Sequence, residues 1–213
     1  MRRLLVVAAV VFAALVAVAI LAVIRSDGNG GKTVQTVAGH KITRDDVDLT
    51  VQHFHEEADR EGRPFPRRGT KEFQGVENIA LGLLIDRAAI EGAAAKLGVH
   101  VSEAQVDARV GAAGSGESEE GGAVRVKAEA AFARGSARTQ LVEERVASKL
   151  TRSVTVSDAT VRAFYRAHRS LYGSIPFPRL AAAIRMQLLA ERRNTVMADW
   201  LAKVRRSEPK PKI

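Results

Sequence analysis

Residues 4–24 run for twenty-one positions without a charged or amide side chain, and no other segment constrains the chain as strongly. Coiled as a helix at about 1.5 Å per residue, the run is about 31 Å long, which matches the hydrocarbon thickness of a bilayer. Secretory leaders usually carry an apolar stretch of only about 7–15 residues, so this one reads as an uncleaved signal anchor and transmembrane helix spanning residues 1–25. Cleavage after Ala19, in the small-x-small string Ala17-Val18-Ala19, is the competing reading. Arg2 and Arg3 precede the run, and basic flanks stay cytoplasmic. Everything after Arg25 is therefore expected outside the cytoplasm, as the extracytoplasmic part of a single-pass protein of the cell membrane. Ala9, Ala13 and Ala17 repeat at the four-residue spacing that permits close helix approach, although alanine is common in such spans.

The remainder is long enough for one sizeable core or two small ones. Cysteine is absent, which excludes disulfides, thiolate chemistry and a lipid-modified cysteine anchor. The formal charge is +9 for the whole chain. Nucleic acid is the reflex partner of a basic chain, but a domain beyond the membrane meets little of it, so no nucleic-acid partner is expected. Lipid head groups, wall polymers or acidic stretches of other proteins suit a diffuse positive field better.

Residues 26–32 carry three glycines and no apolar side chain, a flexible linker between the anchor and a domain at 33–206. Within that domain the class is mainly α with short strands. Alternation over 33–38, the Gly39-His40 turn and Lys41-Ile42 predict a small hairpin. Thr43 with Asp46 three residues on opens a helix expected over 44–61, which Gly62 and Pro64 end. A second helix begins near Lys71, with Val76, Ile79, Leu83 and Ile90 expected on one buried face and Ala80, Leu84 and Ala88 as a neighbouring row. Gly98 closes it, and Ser102 with Gln105 opens a short successor. The glycine-rich segment 111–122 predicts a mobile loop. Further helices are expected over 124–133, ended by Gly135, and again from Ser136 onward, then after Ser157-Asp158. The connection 169–178 precedes a long closing helix over 179–206. The basic tail 207–213, with Pro209 and Pro211, is expected to be extended.

Three strings in this order carry a resemblance. They are Val37-Ala38-Gly39-His40-Lys41-Ile42-Thr43-Arg44-Asp45-Asp46-Val47, then Ala93-Ala94-Ala95-Lys96-Leu97-Gly98-Val99 with Val101-Ser102-Glu103-Ala104-Gln105-Val106, and last Val154-Thr155-Val156-Ser157-Asp158-Ala159-Thr160-Val161 with Phe164-Tyr165. Together they resemble the N-terminal chaperone domain of SurA-like proteins, over roughly residues 34–172 and more loosely the closing helix at Trp200-Leu201. The resemblance implies that residues 33–206 form a SurA-like domain binding unfolded or nascent exported polypeptides without nucleotide. In full-length SurA-like and PrsA-like foldases a parvulin isomerase domain follows the tyrosine helix. Here only residues 166–178 separate that helix from the closing one, so isomerase chemistry is not expected.

Reactive constellations are scarce. His53 and His55 lie about 200° apart around a helix, too far to share one ion, and read as a solvated face. His40, His100 and His168 sit at a turn, before a cap and at a helix end. Gly116-Glu117-Ser118-Glu119-Glu120 lacks the last glycine of a nucleophile elbow. The glycines of 111–122 lack a following Lys-Ser or Lys-Thr and carry three glutamates, which disfavours phosphate. Asp45-Asp46 fits a helix-cap role. The chain is thus expected to be no enzyme, with no cofactor and no metal.

The candidate client-binding residues are apolar. Phe65 and Phe177 each sit in a Pro-Phe-Pro-Arg string, at 64–67 and 176–179, placed either to touch a client or to plug a helix end. Phe164, Leu171, Tyr172 and Ile175 extend an apolar surface beside the second copy. Met186 and Trp200 on the closing helix complete the set. The expected function is a membrane-anchored extracytoplasmic chaperone, held in lipid by residues 4–24. An envelope adaptor binding one folded partner, and a prolyl isomerase family member, are the alternatives.

Overall fold

Thr43 and Asp46 begin the first helix by bonding each other reciprocally. The Thr43 backbone donates to the Asp46 carboxylate at 2.8 Å, and the Asp46 backbone donates to the Thr43 hydroxyl at 3.2 Å. This exchange satisfies amides that a helix start leaves unpaired. In the computed structural model, which describes residues 31–112 and 123–211, helix α1 follows as Arg44–Arg60. The apolar run 4–24, the linker up to residue 30, most of the loop 111–122 and the last two residues of the tail lie outside the described residues.

Ahead of α1, strands β1 (Thr33–Val37) and β2 (His40–Thr43) pair antiparallel, with Val37 opposite His40. Ala38 and Gly39, the two turn residues, both have positive φ, as tight hairpins of the primed type require. Helix α2 (Lys71–Lys96) starts at Thr70, whose hydroxyl accepts from the Phe73 amide. It ends in a Schellman motif. Gly98, at φ 68°, donates to Ala95, and Val99 donates to Ala94. Gly92 of α2 lies directly under Ala38, so the hairpin tip rests on bare helix backbone.

The rest of the described chain is helical. Helix α3 (Glu103–Ala112) is followed by α4 (Ala123–Thr151), α5 (Asp158–Ala167), α6 (Arg169–Tyr172) and α7 (Phe177–Arg206). The main core gathers around α2. Leu81, Ile85, Ile90 and Ala94 meet Val37 and Ile42 from the hairpin, Val47 and Val51 from α1, Val142 and Val146 from α4, and Val204 from α7. The closing helix thus docks beside the second one. Helix α3 is pinned to α4 by Val106, which is fully buried, and by arginines reaching back: Arg134 pairs with Glu103 and Asp107, and Arg109 forks onto Glu144.

Several sequence expectations are corrected. Ile79 is 65% exposed rather than buried. Ile90, Ala80 and Ala88 are buried as expected, and the buried face also takes in Phe73, Glu77, Leu81, Ile85 and Ala89, where α1 and α4 pack on α2. Gly135 does not end a helix. It lies inside α4, and the missing Cβ makes room for the Arg87 guanidinium, which bonds the Ser136 hydroxyl at 2.8 Å and lies 4.7 Å over the Phe132 ring. Val154 and Val156 form no strand. The connection after α5 contains the short helix α6, and the closing helix begins earlier than expected, at Phe177. Pro178 tolerates that position because a first-turn amide needs no partner.

Candidate functional site

Ser157 caps α5 by accepting from the Thr160 amide, and α5 then turns Val161 and Tyr165 onto α7. There they meet Ile184, while Phe164, Tyr172, Phe177, Leu180 and Leu188 close around them in a second, smaller core. Its centre is Tyr165. The ring stacks on Tyr172 at 5.6 Å and meets Phe177 edge-on at 5.5 Å, and the hydroxyl donates to the Ile175 carbonyl at 2.8 Å. That bond fixes the turn between α6 and α7 although the turn's own side chains face outward. Leu171 is 75% exposed and Ile175 45%.

Helix α7 uses opposite faces in its two halves. Phe177, Leu180, Ile184 and Leu188 face α5, whereas Met197, Trp200, Leu201 and Val204 enter the main core. At about 100° per residue, Met186 lies about 200° from Ile184 but within about 20° of Met197. Met186 therefore continues the core-facing stripe into the half of the helix where the core has ended. It is 70% exposed. Around it the same stripe holds exposed Ala182, Ala183 and Ala190 and half-buried Leu189. Ion pairs and hydrogen bonds hold this arm. Arg185 pairs with Asp158, and Arg192 donates to the Thr155 carbonyl in the segment before α5.

The structure brings five of the eight candidate residues together at one end: Phe164, Leu171, Tyr172, Ile175 and Phe177. Of these, Phe164 stacks on His168 at 4.1 Å and Phe177 carries the Arg162 guanidinium at 4.9 Å, so both rings are half covered. Met186 stands further along α7. Phe65 and Trp200 belong elsewhere: Phe65 lies between His55 and Phe73, and both Phe65 and Trp200 pack on the main core. The two Pro-Phe-Pro-Arg strings thus serve different neighbourhoods, and Phe177 is in a helical turn rather than an extended loop. Ile79, expected on a buried face, and Val126 are both more than half exposed and were not among the binding candidates. Both sit on helices whose apolar periodicity gives no sign of which row is left uncovered.

A cavity of about 210 Å³ opens between the hairpin, α1, α2 and α4, beside Ile42, Leu84, Arg87, Glu91 and Phe132. Burial raises the Glu91 carboxyl above its ordinary range, against the opposing pull of Arg138. Burial also lowers the pKa of Arg87. His53 is not on a solvated face as expected. It stacks on Phe132 at 3.8 Å, and burial lowers its pKa. His55 lies instead against Phe65. Among the described residues no helix is long and apolar enough to cross a membrane, and no group of three His, Cys, Asp or Glu is placed to hold a metal ion.

What the arm offers chemically is aliphatic surface bordered by guanidinium groups, which binds by burial and by charge-assisted contact. A family model described as the SurA-like N-terminal domain matches residues 1–121. The match takes in the apolar run, the hairpin and α1 to α3, and ends before the arm. Among curated proteins and solved structures, none matches the chain.

Proposed function

The chain belongs to the SurA-like N-terminal domain family, and on that premise we propose that it is a membrane-anchored extracytoplasmic chaperone for unfolded or newly exported polypeptides. A folding-related, chaperone-type role is what membership of that family supports. The observation that carries the finer reading is the split of α7, which leaves Met186 and its alanine neighbours uncovered on a face that is core further along. An unfolded segment laid on this stripe buries the same kind of surface that the folded domain buries against Val204. Binding of that sort is weak, needs no nucleotide and ends by dissociation, so the proposed activity is not enzymatic. Anchoring is supported by the uninterrupted apolar run at 4–24 and its Arg2-Arg3 flank.

The test is aggregation of a denatured secreted protein in the presence of the full chain in lipid nanodiscs. The chain slows aggregation, and Met186→Ser with Leu189→Ser weakens the effect while leaving thermal stability close to that of the parent. No protection at several-fold excess refutes the chaperone reading. Protease added to intact spheroplasts tests topology: the carboxyl end is digested if the domain lies outside, and is protected if the proposal is wrong.

A further inference from the structure

Positive charge is not spread evenly along the chain. Residues 159–190 contain five arginines, no lysine and no carboxylate, whereas residues 31–157 hold eighteen Lys and Arg against nineteen Asp and Glu. Of the five arginines, Arg185 alone pairs with a carboxylate among the described residues, that of Asp158. Arg162 lies over the Phe177 ring and Arg169 over the Tyr165 ring, contacts that orient a guanidinium without neutralising it. Arg166 and Arg179 are exposed and, among the described residues, have no ion-pair partner.

These arginines flank in sequence a turn that is apolar at its surface. Leu171 and Ile175 project there, while Tyr165 holds the Ile175 carbonyl from beneath. Exposed aliphatic side chains at a turn suit a flat, deformable phase, into which they can insert. Arginine rather than lysine suits phosphate, which the planar guanidinium grips with two parallel bonds.

We propose that the α5–α6–α7 turn docks on an anionic lipid bilayer, with Arg162, Arg166, Arg169 and Arg179 contacting head-group phosphates and Leu171 and Ile175 entering the interface. This rests on the anchored reading, since a chain held by residues 4–24 keeps the turn at high local concentration near lipid. Basic side chains close to an anionic surface each add attraction that salt screens, and adjacent aliphatic residues add burial.

The absence of cysteine permits a clean test. Leu171→Cys is labelled with an environment-sensitive fluorophore in the full chain, which is placed in nanodiscs of phosphatidylcholine alone or mixed with phosphatidylglycerol. The expected result is a blue shift confined to discs containing phosphatidylglycerol, reversed by high salt. It is lost in Arg166→Gln/Arg179→Gln, whose far-ultraviolet circular dichroism matches the parent. Equal emission in the two discs overturns the proposal. So does an equal shift produced by poly-glutamate over phosphatidylcholine discs, which assigns the turn to acidic polypeptides. Flotation with phosphatidylcholine vesicles reads the anchor separately: a chain that floats without the phosphatidylglycerol-dependent shift retains its anchor and refutes the docking turn.

Discussion

Arg205, in the last turn of α7, donates from Nε to the Asp86 carboxylate of α2 at 2.9 Å, joining residues 119 apart in the chain. Asp86 has company. Its charge raises the pKa of Glu143 on α4 and of Glu208 just past α7, although burial is the larger cause for each, and Arg205 opposes both shifts. One guanidinium therefore serves three carboxylates where the closing helix meets the core. Arg205→Ala should cost more stability than Asp86→Asn, because the first leaves like charges facing each other and the second removes one of them. A partly exposed pair of this kind is worth up to about 1 kcal/mol. Urea titrations of the two variants at neutral pH check the order. The Arg205→Ala deficit should shrink as pH falls through the raised values of Glu143 and Glu208, above the ordinary 4.5, and those two carboxyls take up protons.

Glu91 should give the opposite response to removal of its charge. Its folded pKa is raised by burial, so the folded state holds the proton more tightly than the unfolded chain does. The stability this contributes is complete below the ordinary value of 4.5 and is lost as pH rises through the higher folded value. Glu91→Gln keeps the shape without the charge. Thermal melts should show it more stable than the parent at neutral pH, with the advantage disappearing in acid.

Two helical glycines should respond differently to alanine. At Gly92 a new Cβ would overlap the Ala38 Cβ, in a hairpin tip that has no flexible side chain to move aside. Gly92→Ala should cost about 1–3 kcal/mol, as overpacking typically does. At Gly135 the obstacle is the far end of Arg87, and alanine in a helix gains up to about 1 kcal/mol over glycine. Gly135→Ala should fall near neutral, with the lost contact to Ser136 offsetting the gain. Denaturant unfolding of both variants tests the contrast.

Tyr165→Phe removes the hydroxyl that holds Ile175. A bond of this kind contributes about 0.5–1.5 kcal/mol, and its effect should stay local because the small core meets the main one chiefly through α7. Hydrogen exchange should quicken in α5, α6 and the first half of α7, while the amides of α2 keep their protection. Uniform acceleration across both cores would contradict that separation.

Helix starts and stops were legible at the level of single residues. Thr43 with Asp46, Ser157 and Gly98 all act as caps, because the amide or carbonyl each one serves lies within five residues of it. Family resemblance rested on the same short strings. Gly135 misled for the same reason: glycine after a helical run reads as a stop, and nothing nearby in sequence announces that Arg87, on another helix, occupies its empty side. Ile79 misled because α2 is apolar almost all round, so periodicity did not distinguish the covered row from the exposed one.

The candidate site divides along the same line. Leu171, Tyr172, Ile175 and Phe177 were recognisable as an apolar cluster because they are neighbours in sequence, and the run of arginines without carboxylates is likewise plain in the letters. That Met186 is exposed while Val204, five turns along the same face, is buried depends on where the core ends beneath α7. By itself the sequence determined most of the helices, several of their caps and the family, since those follow from bonds and patterns spanning a few residues. Only the tertiary structure decided which face of each helix is covered, because burial is set by partners such as Asp86 and Arg205, which the folded chain alone brings together.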